Sequence, residues 1–153
     1  MEGLRDIGAL VGRILLALIF VLSGFGKIMN LSGTAGYMAH AGIPGALVYP
    51  GLLLSIAVEL GCGLLVMLGL CARAAALIIF LWLIPVTLVF HVAGHAAAVQ
   101  QHNAMAALTQ QIMYMKNLSM MGGMLVVASL GPGRLSLNGR GTSSEAARSR
   151  RAA

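Results

Sequence analysis

The sequence predicts an all-α integral membrane protein, a four-helix bundle with both termini cytoplasmic, and three observations carry that prediction. The 153 residues are 59% hydrophobic and only 9% charged, against about 25% charged residues in soluble globular domains. Mean hydropathy is +0.91. Four apolar runs, at about 7–29, 47–70, 74–92 and 111–130, each approach the roughly 20 residues a helix needs to cross a hydrocarbon core about 30 Å thick. The basic residues sort to one side of those runs. Arg5, Arg73, Arg134, Arg140, Arg148, Arg150 and Arg151 fall together, with Arg13 just inside the first run, while Lys27 and Lys116 alone belong to the other side. The side richer in Lys and Arg is the cytoplasmic one.

This length accommodates one membrane domain, residues 1–137, and a tail, 138–153, whose composition has no apolar periodicity and reads as disordered, basic and cytoplasmic. A net charge of +6 in a soluble protein would point to nucleic acid. Here five of the ten basic residues come after the last apolar run, so the charge is a topology signal and an anchor to anionic lipid, and nucleic acid is excluded as a partner. Cys62 and Cys71 lie nine residues apart; if the helix is continuous between them they fall on opposite faces about 13 Å apart along its axis, too far for a disulfide.

The first run resembles a signal-peptide core, but Lys27 comes next with no small-residue cleavage site close behind, so it is read as a span. Arg13, Ser23, Gly24 and Lys27 share its inward face. Residues 30–46 are glycine-rich and read as an extramembrane loop with one short helix at most. The second span carries Glu59 near its middle, with Ser55 and Gly63 on the same face at four-residue spacing. A carboxylate at that depth costs about 2.5–3.5 kcal/mol on insertion scales and therefore turns inward to a partner. Residues 69–73 form a tight turn. The third span contains Trp82 and an internal Pro85 that should disturb its hydrogen-bond ladder, then Thr87, His91 and His95 at four-residue intervals. Residues 94–109 read as an interfacial segment. The fourth span carries Tyr114, Lys116, Asn117 and a methionine-rich stretch, and ends at Gly131-Pro132-Gly133.

In this topology Lys27, His91 and Lys116 come to one level in the outer half of the bundle with Glu59 beneath them. Tyr114 and Asn117 line the same funnel if their helix turns inward. One functional reading makes the funnel a site for a quinone headgroup or similar redox-active amphiphile, with His91 and Lys116 bonding its oxygens and Glu59 handling protons. No haem, flavin or iron–sulfur motif is present, so no intrinsic cofactor is expected and electrons would come from a partner. A second reading uses His91 and His95 as weak metal ligands, short of the three or four that a zinc site requires. The structural reading has Arg13, Lys27, Glu59, His91 and Lys116 pairing with one another to fix helix register. A small-solute or proton pathway is disfavoured by the absence of an internal repeat.

The ordered motifs resemble those of the DoxX family: R-x9-SG-x2-K at Arg13 to Lys27, Gly42-Ile43-Pro44, EL-x-x-G from Glu59, G-x3-R from Gly69, KNL-x3-GG from Lys116, and GPG-x-LSL at the close. The resemblance covers roughly residues 13–138. Asn138 departs from the Asp often found there, and His95 stands where an aromatic is commoner, which argues against the metal pair. The resemblance implies a small four-helix protein of the bacterial inner membrane, acting as an accessory subunit of a quinone-linked oxidoreductase system. The expected partners are the lipid bilayer, from composition, and membrane-associated oxidoreductase subunits, from the resemblance; a homo-oligomer is left open by the sequence. The alternative is a structural or assembly protein without ligand.

Overall fold

The computed structural model describes residues 2–137 and is helical throughout, with five helices among the described residues. The expected tail at 138–153 lies outside them. Helix α1 spans Glu2–Met29, α2 spans Leu31–His40, α3 spans Gly45–Leu68, α4 spans Ala72–Gln100 and α5 spans Ala104–Leu130. Three of them, α1, α3 and α4, are long and apolar enough to cross a membrane. The fourth long helix, α5, has 27 residues and a length of about 40 Å. It packs along α4 and touches α1 to close the bundle.

One boundary differs from the sequence reading and one segment agrees with it. The 30–46 segment, expected as a loop with one short helix at most, contains a ten-residue helix, α2, started by Asn30, whose side chain accepts from the Gly33 N–H at 3.1 Å. It ends at Gly42, where the Gly42 and Ile43 N–H groups return to the Ala39 and Met38 carbonyls, with Gly42 in the left-handed region at φ 87°. The interfacial segment expected at 94–109 does not exist as a separate piece. α4 continues to Gln100, and after a turn at 101–103 α5 begins at Ala104, seven residues before the expected start at 111. The same return bonding stops α4, from His102 and Asn103 to Val99 and Ala98, with the non-glycine His102 at φ 54°. Asn103 then caps α5 through the Ala106 N–H at 3.0 Å.

Close approaches of small residues set the packing. A Cβ on Gly24 would lie 2.8 Å from Leu60 Cβ and Leu60 N, and one on Gly63 would lie 3.2 Å from Phe20 Cβ, so α1 and α3 touch almost backbone to backbone. One end of the bundle is dense, with Ala17, Phe20, Val66, Ala75, Ala76, Ile79 and Met124 buried together. At that end the α3–α4 turn, the first part of α1 and residues 131–137 meet. It is the end that the basic residues assign to the cytoplasm.

The opposite end is splayed. The part of α3 before its π segment, Gly45–Ile56, comes within 8 Å (Cα to Cα) of α1, α2 and the π segment itself, but of no residue in α4 or α5. A second, smaller cluster of Ala35, Met38, Val48 and Leu52, joined by Phe90 from α4, roofs the gap. Tyr37 of α2 stacks on Phe90 with ring centroids 5.6 Å apart and planes at 19°.

Candidate functional site

Between the splayed halves lies a cavity of about 610 Å³. Its walls are apolar, among them Phe20, Leu47, Leu54, Leu83, Val86 and Val89, and its polar lining includes Ser23, Lys27, Ser55, Glu59, His91, Lys116 and Asn117. Each of the four long helices contributes at least one of these polar groups.

Two irregular turns aim the key side chains. α3 widens to π geometry over Ala57–Cys62, around Glu59, and α4 does so over Thr87–Val92, a stretch that includes His91. A π turn inserts an extra residue and rotates the next part of the helix about its axis, a device common at functional sites. The second turn begins two residues after Pro85. Pro85 has no N–H to continue the ladder, and just past it the Leu83 carbonyl accepts both the Thr87 backbone N–H and the Thr87 hydroxyl, the latter at 2.6 Å. The expected disturbance at Pro85 thus takes the form of a widened turn.

Glu59 is 8% exposed. Its carboxylate accepts from the Lys27 ammonium and from the Ser55 hydroxyl, the latter at 2.9 Å. Lys27 also donates to Ser23 Oγ at 2.9 Å. Ser23, Lys27, Ser55 and Glu59 therefore form a charge-neutral chain of hydrogen bonds. Asn117 is buried and donates to Thr87 Oγ1 at 3.0 Å, tying α5 to the π turn of α4. His91 is held by Gln110, Nδ1 to Oε1 at 2.8 Å. With the carbonyl oxygen as acceptor, Nδ1 carries the proton, and in the neutral ring Nε2 is then the acceptor.

Lys116 differs from these. Its ammonium lines the cavity, and its hydrogen-bond contact among the described residues is the Met113 thioether at 3.4 Å, a weak acceptor. Trp82, also in the lining, has a buried indole N–H with no acceptor among the described residues.

Lys27, Glu59, His91, Lys116 and Asn117, all expected in a polar funnel, converge on this one cavity. Tyr114 does not line it and instead meets the His95 ring edge-on at 6.2 Å. His95 turns to the Ala107 carbonyl at 2.9 Å, so it and His91 serve separate partners. No group of three or more His, Cys, Asp or Glu side chains gathers among the described residues. Arg13 is not part of the cluster. It sits 14 residues before Lys27, about 21 Å away along α1. It is 3% exposed, and donates to the carbonyls of Met67 (3.3 Å), Leu135 (3.1 Å) and Pro132. It clasps the segment after α5 to the end of α3. Ser55 and Ser23 are legible in the sequence as neighbours of the charges. Gln110, which orients His91, is not, because the sequence reads as interfacial up to residue 109 and as a span only from 111. Trp82 stands out in the sequence as the single tryptophan, with nothing to mark its unpaired N–H.

Residues 8–92 match the DoxX family. Over 138 residues the chain is 35% identical to "Inner membrane protein YqjF" of Escherichia coli (strain K12), covering 90% of this chain and 95% of that protein. It is 32% identical over 136 residues to "Inner membrane protein YphA" of the same strain, covering 89% and 91%. No solved structure matches.

Proposed function

We propose, for a chain that belongs to the DoxX family and is a multi-pass inner-membrane protein, that the cavity binds the headgroup of a quinone and that the protein serves a membrane oxidoreductase system as an accessory subunit. The observation that carries this reading is Lys116. An ammonium within the membrane turns to a partner or to a polar cavity, and Glu59, the carboxylate in the cavity, accepts hydrogen bonds from Lys27 and Ser55 and acts on Lys116 only by its charge. A thioether at 3.4 Å leaves donor capacity aimed at the cavity. A bound group with carbonyl oxygens and an apolar ring answers that need and suits the apolar walls.

His91 and Glu59 are the groups able to exchange protons beside such a ring. The His91 Nε2 lone pair can accept a hydrogen bond from a reduced, hydroxyl-bearing headgroup, while Glu59 sits next to a lysine and a serine placed to carry its proton onward. Electrons would come from the partner subunit. Taking the basic end as cytoplasmic, the cavity lies in the outer half of the bilayer.

The competing reading, helix register alone, has the Lys27–Glu59 pair in its favour, since that pair satisfies itself. It leaves Lys116 with the Met113 thioether and the charge of Glu59 at a distance. The two are separated by measuring ubiquinone and menaquinone retention and thermal shift on the detergent-purified protein, wild type against Lys116→Met. Saturable quinone binding lost in a variant that stays folded supports the ligand site. Absence of binding by the wild type, with Lys116→Met equally or more stable, refutes it.

A further inference from the structure

We infer that the cavity is filled from the bilayer and not from water: the ligand enters sideways between α3 and α4, and an apolar tail stays lodged in that slot while the head rests at Lys116. This inference rests on the proposed headgroup site and assigns the ligand's class, an amphiphile with a long apolar chain, and its route.

Three observations carry it. First, the slot exists because α3 before its π segment has no Cα within 8 Å of any residue of α4 or α5, while the dense end below is closed by the packing of Val66, Ile79 and Met124. A ligand cannot reach the cavity through that end. Second, the edges of the slot are continuous with the cavity lining and purely apolar. Leu47, Pro50 and Leu54 stand on α3, and Pro85 and Val89 on α4; all five line the cavity, are exposed and belong to helices long and apolar enough to cross a membrane. A water-filled entrance would need polar groups here, whereas a hydrocarbon chain needs none. Third, the aqueous end is roofed. α2 lies across it, held by Met38 and Ala35 against Val48 and Leu52 and by the Tyr37–Phe90 stack. The roof presents no charged side chain to the cavity, because Thr34, Tyr37, Met38, Ile43 and Pro44 are its lining residues.

The ion pair lies beyond that rim. Glu59 stands five residues further along α3 than Leu54 and holds Lys27 there, so a ligand entering head first past Leu47, Pro50 and Leu54 meets an apolar edge before that pair. Tail burial in the slot then replaces lipid contacts with similar apolar contacts and leaves specificity to the head.

The test is photolabelling of the full-length protein in nanodiscs with a ubiquinone analogue whose decyl tail ends in a diazirine, followed by peptide mapping, with and without excess tail-free dimethoxy-methyl-benzoquinone. The expected result is labelling confined to residues 47–54 and 85–89 and lost on adding the tail-free competitor. Labelling that the competitor removes but that maps to α2, or to the facing surfaces of α1 and α5, overturns the lateral route and leaves the headgroup site standing. Labelling that the competitor does not remove overturns both, because no headgroup site then exists for the tail to lead to.

Discussion

The Lys27–Glu59 pair offers a test of the site that needs no ligand. The two partners are unequally buried, with side chains 21% and 11% exposed. Lys27→Met would leave the more buried carboxylate with the Ser55 hydroxyl as its hydrogen-bond donor and Lys116 as a more distant cation, whereas Glu59→Gln would leave an ammonium that keeps Ser23 and has more room to reach polar surroundings. Removing one partner of a buried pair costs about 3–5 kcal/mol. The adjoining cavity softens that figure, so about 3 kcal/mol is expected for Lys27→Met and about 1–2 kcal/mol for Glu59→Gln. In the double variant Lys27→Met/Glu59→Gln neither member of the pair is left charged without the other, and the cost should fall to about that of Glu59→Gln, a coupling near 3 kcal/mol. Reversible unfolding in mixed detergent micelles titrated with SDS, on all four proteins, gives the cycle. Additivity within about 0.5 kcal/mol, or a larger loss from Glu59→Gln than from Lys27→Met, would refute the argument.

Further outcomes are expected from the same geometry. Gly24→Ala should destabilise by about 1–3 kcal/mol because its Cβ would meet Leu60 at 2.8 Å, while Gly26→Ala, with nothing within 4 Å, should change stability little; thermal shift separates them. Arg13→Met should release residues 131–137, seen as faster hydrogen exchange at the Leu137 N–H that now bonds the Leu68 carbonyl at 3.2 Å, with no change in quinone retention. Asn103→Ala should cost about 1 kcal/mol through loss of the α5 cap, and Asn103→Asp should recover it; chemical unfolding of the two variants side by side checks this.

Glu59 shows how much of the site is legible in advance. A carboxylate amid an apolar run has to turn inward, and Ser55 and Gly63 at four-residue spacing mark the inward face, so its burial and its serine partner come from spacing alone. Lys27 as its cation is a matter of depth: both lie on apolar helices, and matching levels narrows the candidates. His91 is legible as a residue but not in its orientation. Gln110, which holds it, comes from the segment whose helical register the sequence disguises, because His102 takes the left-handed position that usually carries glycine and so hides the end of α4. Arg13 shows the opposite error. Its place on the same wheel face as Lys27 suggests a shared cluster, but a wheel gives angle and not height, and 14 residues of rise send it to the backbone carbonyls at the other end.

Composition, run lengths and the distribution of Lys and Arg determined by themselves that this chain is a membrane-spanning helical bundle, since apolar surface and backbone polar groups leave a chain in lipid few other solutions. Local spacing determined that charged side chains face the interior. Only the tertiary structure decided that α3 and α4 part company above their π turns, that α2 roofs the gap, and that Lys116 is left facing a cavity in want of an acceptor. Those features depend on where helices touch and where they do not. Contact between distant segments is set by the packing of Gly24 on Leu60 and of Phe90 against Tyr37, which no local pattern encodes.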